Sequence, residues 1–337
     1  MKHSRLPLLL VLSLCTTVFS HSAVFAAPVA SVPYTPYQVQ DFLGRARELR
    51  GNMTAKDAKD LYNAANRLYK QGKAPEAREI LTIICNTRYV NCNTLCSLAD
   101  NCIDQLGETD ASRPAEKYLN QAVKLDPQCS RAWTTLADLS FKNSDISKAL
   151  KYSDKSITVS LPKAPHHLAY MVRATILAQA KRYDEALDCV NKAEKPAGYR
   201  AELYRIKGGI LENLKRYDEA AASYRRAVSK TNQNKDWMTF QIVRCLEKQN
   251  LNKEAIGELG ELIKTNPSDA EAYRVRSSIK VRVNDLNGAI SDLSKVIELE
   301  PTTKSYFERA KLYERTGRKD LAKKDIQAAE KLKASPF

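Results

Sequence analysis

Five of the eight cysteines crowd into one stretch of the chain: Cys85, Cys92, Cys96, Cys102 and Cys129. Thiols gathered in this way can close disulfides, hold a thiophilic metal, or serve as small buried hydrophobes. A metal site is the sharpest of these readings, but the local spacing argues against it. There is no C-x-x-C pair and no neighbouring histidine, so no metal is expected. Cys102, Cys189 and Cys245 read as buried small hydrophobes rather than reactive thiols. Catalytic chemistry finds less to build on. The histidines outside the N-terminal segment are the adjacent His166 and His167, and no glycine-rich phosphate loop, G-x-S-x-G or H-E-x-x-H occurs. Carboxylates are abundant, but on amphipathic helices they form the solvated face. The chain reads as a non-enzyme without a cofactor.

The elements that must position these residues announce themselves by repetition. Ala77, Ala115, Ala149, Ala186, Ala220, Ala255, Ala289 and Ala322 recur at steps close to 34 residues, in settings such as RYDEALDCVNKA, RYDEAAASYRRA and DLNGAISDLSKV. With each alanine placed twentieth in its repeat, the fourth position is aromatic in Trp133, Tyr170, Tyr204, Tyr273 and Tyr306. The eighth is small in Ala65, Ala99, Ala137, Ala174, Gly208, Ser277 and Ala310. Prolines at 127, 162, 267 and 301 follow the second helix and stop it. Small residues at fixed offsets let paired helices approach, and the aromatic fills the space between neighbouring repeats. The chain has only 11 glycines and no alternating strand pattern, so it should be helical throughout.

These residues resemble the tetratricopeptide repeat (TPR) family. SRAWTTLADLS (130–140) matches the opening of its consensus, and SYFERAKLYERTGRKDLAKKDIQAA (305–329) follows it almost throughout. The resemblance implies an all-α solenoid, a right-handed superhelix of about eight antiparallel helix pairs. The repeats fall near 58–91, 92–129, 130–163, 167–200, 201–234, 236–269, 270–302 and 303–337. Departures are visible. The seventh position is basic in Arg173, Lys207, Arg276 and Arg309, with a packed stem and a head expected in solvent. The sixth repeat is weak, with Thr239, Val243 and Leu262 at positions four, eight and twenty-seven. About four extra residues, in GETDASRP (107–114), should separate the helices of the second repeat, and LPKAP (161–165) lengthens the third gap.

Ahead of the repeats, MKHSR, the apolar LPLLLVLSLCTTVF (6–19) and Val24-Phe25-Ala26 before Ala27 read as a signal peptide over 1–26, with an uncleaved anchor or lipidation at Cys15 as the alternatives. The apolar run is short for a membrane span. The formal charge of +15 falls to about +13 once Lys2 and Arg5 leave. A tether and capping helix occupy 27–57, where Val39, Phe42, Leu43, Ala46 and Leu49 follow helical spacing. An exported chain matures under oxidising conditions. Repeat geometry would return Cys129 towards Cys92 and Cys96, so Cys85–Cys92 and Cys96–Cys129 are sterically allowed pairings, with connectivity left open.

The TPR resemblance also implies a groove lined by positions two, five, nine, twelve and thirteen of the first helices. Here these carry Arg205 and Asn213; Trp237, Phe240, Arg244 and Lys248; Arg274 and Arg282; and Lys304, Phe307, Lys311 and Arg315. Such a face suits an acidic protein or peptide partner. The family's carboxylate clamp, Lys at five with Asn at nine, is absent: the fifth repeat pairs Arg205 with Gly209. A charge-driven binder of anionic envelope polymers or lipid headgroups is the alternative, as is a redox or metal-linked protein using the cysteines. No specific nucleic acid partner is expected, and the oligomeric state is open.

Overall fold

The computed structural model describes residues 33–110, 112–160, 167–197, 200–231 and 234–334. The expected signal peptide over 1–26, most of the expected tether, LPKAP (161–165) and His166 lie outside the described residues. Those described are helix and turn without strand, in the order α1 (Pro36–Glu48), α2 (Ala55–Lys70), α3 (Ala74–Cys85), α4 (Cys92–Asp110), α5 (Ser112–Leu125), α6 (Ser130–Lys142), α7 (Ile146–Ser160), α8 (His167–Gln179), α9 (Tyr183–Ala197), α10 (Ala201–Asn213), α11 (Tyr217–Val228), α12 (Lys235–Lys248), α13 (Asn252–Thr265), α14 (Ala270–Arg282), α15 (Leu286–Leu299), α16 (Thr303–Arg315) and α17 (Lys319–Ala334). This is an all-α helical solenoid. It divides into two compact units, residues 1–196 and 197–337. Among the described residues no helix is long and apolar enough to cross a membrane.

The alanine ladder explains the pairing. Every alanine at position twenty is buried, as is every small residue at position eight that the sequence picks out. A side chain no larger than that of serine at these points lets helix axes close up, and burial of the facing apolar stripes supplies the stability. Between the two helices of a pair, the chain turns through a left-handed residue at the fifteenth position. It is Gly72 and Gly317 at the ends of the array, and Ser144, Lys181, Lys215, Asn250 and Asn284 between. Only two of these seven use the residue for which that backbone is free of cost.

In the first unit, α1 is capped by Thr35, whose hydroxyl and backbone N–H exchange hydrogen bonds with Gln38. The helix buries Val39, Leu43 and Ala46 against Leu61, Leu68, Ile80 and Leu81 of α2 and α3. The apolar face of the first pair is thereby covered. The insertion in the second pair does not loop out. It lengthens α4, which runs through Asp110, so the expected loop over 107–114 is in large part helix. GETD contains no proline, and extending a helix through it satisfies its backbone groups more cheaply than a loop would.

In the second unit each helix packs on the one before it and the one after it, from α10 to α17. Gly208 and Tyr224 bring α10 and α11 close together: a Cβ on Gly208 would meet the tyrosine ring at 2.7 Å. Tyr224 is fully buried and stands edge-on to Trp237, ring centres 6.1 Å apart. The weak sixth repeat is held in this way, with Trp237 filling the aromatic role from two residues earlier and Val243 buried at position eight.

The basic seventh positions differ from expectation. Arg276 grips Asp292 with two hydrogen bonds, 3.0 and 2.6 Å, and Lys280 joins the same carboxylate at 2.8 Å. Arg309 grips Asp325 in the same way, at 2.8 and 2.7 Å, while reaching Ser294 at 2.9 Å. Asp292 and Asp325 are buried. The two arginine heads therefore turn inward instead of reaching solvent, because each second helix presents a carboxylate at position twenty-three. Their pKa values rise accordingly, through the hydrogen bonds to aspartate and against the cost of burial.

Candidate functional site

The residues expected to line a groove sit on successive first helices of the second unit. Arg244 of α12 donates to Glu212 of α10 at 2.6 Å, and Arg282 of α14 pairs with Glu247 of α12. These rungs fix positions nine, twelve and thirteen of neighbouring first helices on one shared face. Arg205 holds Glu202 at 2.9 and 2.7 Å, and its guanidinium lies 5.8 Å over the Trp237 ring. Arg274 pairs with Glu271 and reaches Glu300 at 3.5 Å. Lys304 lies 3.8 Å from Glu308. Asn213 is turned onto its own helix, donating to the Gly209 carbonyl at 2.8 Å.

Most of the arginines predicted for this face are therefore already engaged. Burial works against the charge on Arg244, but the Glu212 carboxylate outweighs it and raises the pKa. The counter-charges could have been found. Glu202 and Glu271 stand at position two and Glu212 and Glu247 at position twelve, among the groove positions themselves. Of the cations expected on this face, Lys248, Lys311 and Arg315 make no ion pair among the described residues, and all three are exposed. Phe307 is exposed beside them in sequence, and Phe240 is half-buried.

The second candidate lies in the first unit. Cys92 and Cys96 are one turn apart at the start of α4, and Cys129 precedes the first residue of α6. The Cys96 and Cys129 sulfurs are 4.0 Å apart. Cys92 Sγ donates to Asp126 Oδ2 at 3.5 Å, and the ligating atoms of Cys92, Asp126 and Cys129 lie within 4.8 Å of one another. The other oxygen, Asp126 Oδ1, accepts from the Gln128 backbone N–H at 3.0 Å, which fixes the carboxylate. Cys129 accepts from Cys96, from Cys92 and from the Ala132 backbone N–H, and together these outweigh burial and lower its pKa to about 6. Burial, with Cys129 next, pushes Cys92 up to about 12. The hydrogen bond to Cys129, with burial, raises Cys96 too.

Of the four cysteines considered for disulfides, three converge. Cys85 does not join them: it makes no sulfur contact among the described residues, and burial pushes it up to about 11. Cys102, Cys189 and Cys245 are buried. His167 opens α8, apart from this cluster in the sequence.

A cleft of about 490 Å³ in the first unit, lined by Tyr170, Arg173, Glu185, Asp188 and Cys189 among others, holds paired charges. Asp188 meets Lys192 at 2.5 Å, Glu185 meets Arg182 at 2.6 Å, and Arg173 is joined to Asp154. Asp154, Glu185 and Asp188 of this cleft are thus held in salt links.

A tetratricopeptide repeat-like domain profile matches residues 101–253, and a tetratricopeptide repeat profile matches 303–336. No curated protein matches the chain. Solved structures similar to it include the Cut9–Hcn1 heterotetramer of APC/C, at 16% identity and a TM-score of 0.51 over 86% of this chain. This chain spans about half, 52%, of that one. A monomeric mutant of IFIT1 with Gppp-AAAA is similar at 12% identity and a TM-score of 0.51, covering 88% of this chain and 76% of its own. YrrB, a TPR protein with an unusual peptide-binding site, is 21% identical over 54% of this chain and 92% of its own, with a TM-score of 0.46. At these identities the likeness is one of fold. With the buried alanine ladder, the paired helices and the two profile matches all in agreement, the chain belongs to the tetratricopeptide repeat family.

Proposed function

We propose that this chain is an exported, non-catalytic scaffold that holds an acidic peptide segment of a protein partner along the first helices of its second unit. The observation that carries this reading is the pair of inter-helix rungs, Glu212 to Arg244 and Glu247 to Arg282. They line up cations of consecutive repeats on one face at a spacing that an extended acidic segment can follow. Lys248, Lys311 and Arg315 supply charge free for a partner, and Phe307 an exposed apolar contact. Export to the periplasm, cell envelope or medium rests on the signal-like residues 1–26.

The test uses a fluorescent peptide of mixed glutamate, aspartate and leucine, titrated with the mature chain. Lys248→Glu, Lys311→Glu and Arg315→Glu together should weaken binding at least tenfold. Lys253→Glu, Lys323→Glu and Lys324→Glu, the same charge change on second helices, should weaken it far less. Equal losses from both sets, or binding that collapses entirely between low and high salt, would assign the attraction to diffuse charge and favour an anionic polymer or lipid surface. Cell fractionation with mass spectrometry of the N-terminus tests export, which predicts a chain beginning at Ala27.

A further inference from the structure

The three converging cysteines have no part in peptide binding, and their arrangement exceeds what a disulfide needs. A disulfide takes two sulfurs. Here two sulfurs, of Cys92 and Cys129, and a carboxylate oxygen of Asp126 lie within 4.8 Å of one another, and a third sulfur, of Cys96, stands 4.0 Å from that of Cys129. Cys92 and Cys96 come from one face of α4, Cys129 from the turn before α6, and Asp126 from the end of α5. We propose that Cys92, Cys129 and Asp126, with Cys96 beside Cys129 as the fourth donor, form a binding site for a zinc-class divalent cation that ties the second helix pair to the third.

The distances fit that ion. A tetrahedral site with metal–sulfur bonds of about 2.3 Å sets its sulfurs about 3.8 Å apart. A metal–oxygen bond of about 2.0 Å sets sulfur to oxygen at about 3.5 Å. The observed Cys96–Cys129 separation is 4.0 Å, and Cys92 Sγ lies 3.5 Å from Asp126 Oδ2. The outer contacts also fit. Asp126 Oδ1 is held by the Gln128 N–H, so Oδ2 is the oxygen presented to the sulfurs. A ligating carboxylate fixed through its second oxygen is the usual arrangement around a bound metal. Cys96 and Cys129 are buried among Leu95, Leu119, Ala132 and Leu136, which keeps water from competing for the ion. On binding, each thiol gives its proton to solvent and the thiolate becomes the ligand.

Sequence spacing alone pointed away from a metal because it looked for ligands close together in the chain. These ligands come from two places about 30 residues apart, which the repeat brings together at its turn.

The mature full-length chain, reduced and kept anaerobic, is titrated with Co²⁺ as a probe and then with Zn²⁺. One equivalent of Co²⁺ should give tetrahedral d–d bands and a thiolate-to-cobalt charge-transfer band, and Zn²⁺ should displace it. Cys129→Ser and Cys92→Ser should abolish the charge-transfer band. Asp126→Asn should weaken binding about tenfold or more. Cys189→Ser and Cys245→Ala should leave the titration unchanged. On the unmodified chain, Zn²⁺ should slow alkylation of Cys92, Cys96 and Cys129 and leave the rate at Cys85 as it was, a readout independent of any variant's folding. A reduced chain that gives no charge-transfer band, or a band retained in Cys129→Ser, overturns the site. So does a chain that isolates with a Cys96–Cys129 disulfide and, once reduced, takes up no Co²⁺.

Discussion

Gly208 and Gly209 are adjacent on α10, yet replacing each by alanine should move stability in opposite directions. Alanine is the better helix former by about 1 kcal/mol, and both sites would gain from it. At Gly209 the new Cβ meets the Tyr224 hydroxyl at 3.6 Å, an ordinary contact, so Gly209→Ala should stabilise by about 0.5–1 kcal/mol. At Gly208 the new Cβ would stand 2.7 Å from one ring carbon of Tyr224 and 2.8 Å from two more. The ring cannot simply swing aside, being buried and braced by Trp237. Overpacking of this kind costs about 1–3 kcal/mol, which offsets the propensity gain and leaves Gly208→Ala destabilised by about 1 kcal/mol. Urea denaturation followed by circular dichroism measures both variants. A Tyr224→Leu background relieves the clash and should restore the propensity gain, giving a coupling of about 1–2 kcal/mol in a double-mutant cycle. If Gly208→Ala stabilises the chain as much as Gly209→Ala does, the close approach of α10 and α11 through that glycine is wrong.

Asp325→Ala strands the Arg309 head in a largely buried place and should cost about 3 kcal/mol, while the double change Arg309→Leu with Asp325→Leu should lie near the parent in the same denaturation assay. Lys215→Gly, at a left-handed turn position, should stabilise by about 0.5 kcal/mol, and Gly317→Ala should cost about 1 kcal/mol; both are read by melting. Cys245, raised to about 12 by burial and then by Glu212, keeps its proton in the folded chain above the pH at which the unfolded thiol loses it. Its contribution to stability is therefore full below about pH 9 and fades as pH climbs towards 12. A Cys245→Ala chain should lose less stability than the parent over that range, and equal alkaline losses would contradict the shift.

The helices were legible because a period near 34 with small residues at positions eight and twenty is a strong geometric signal, and each of those residues is buried. The capping helix was legible for the same reason, since Val39, Leu43 and Ala46 mark one face. What escaped was pairing between residues whose offsets were never compared. Arg276 and Arg309 looked solvent-bound because their aspartates lie sixteen residues on, in the other helix of the pair. The basic face looked more basic than it is because Glu212 and Glu247 were passed over at its own positions. The length of α4 escaped because a run such as GETDAS carries turn formers that a helix can also hold.

The cation grips of the second unit have a mechanical consequence. Each helix from α10 to α17 packs mainly on its neighbours along the chain, with side-chain rungs reaching the next helix but one, so a pull on the C-terminus works on the last contacts first. Arg309 stitches α16 to α17, and Arg276 stitches α14 to α15, so the element that yields is the pair and not the single helix. Arg309 also reaches back to Ser294, and Arg318 to Asn287, so two side chains latch the last pair to the one before it. Under load the unit should lengthen in a staircase of similar steps, each about one repeat long, and an optical trap would record a ratchet where a shear-locked domain gives a single rip.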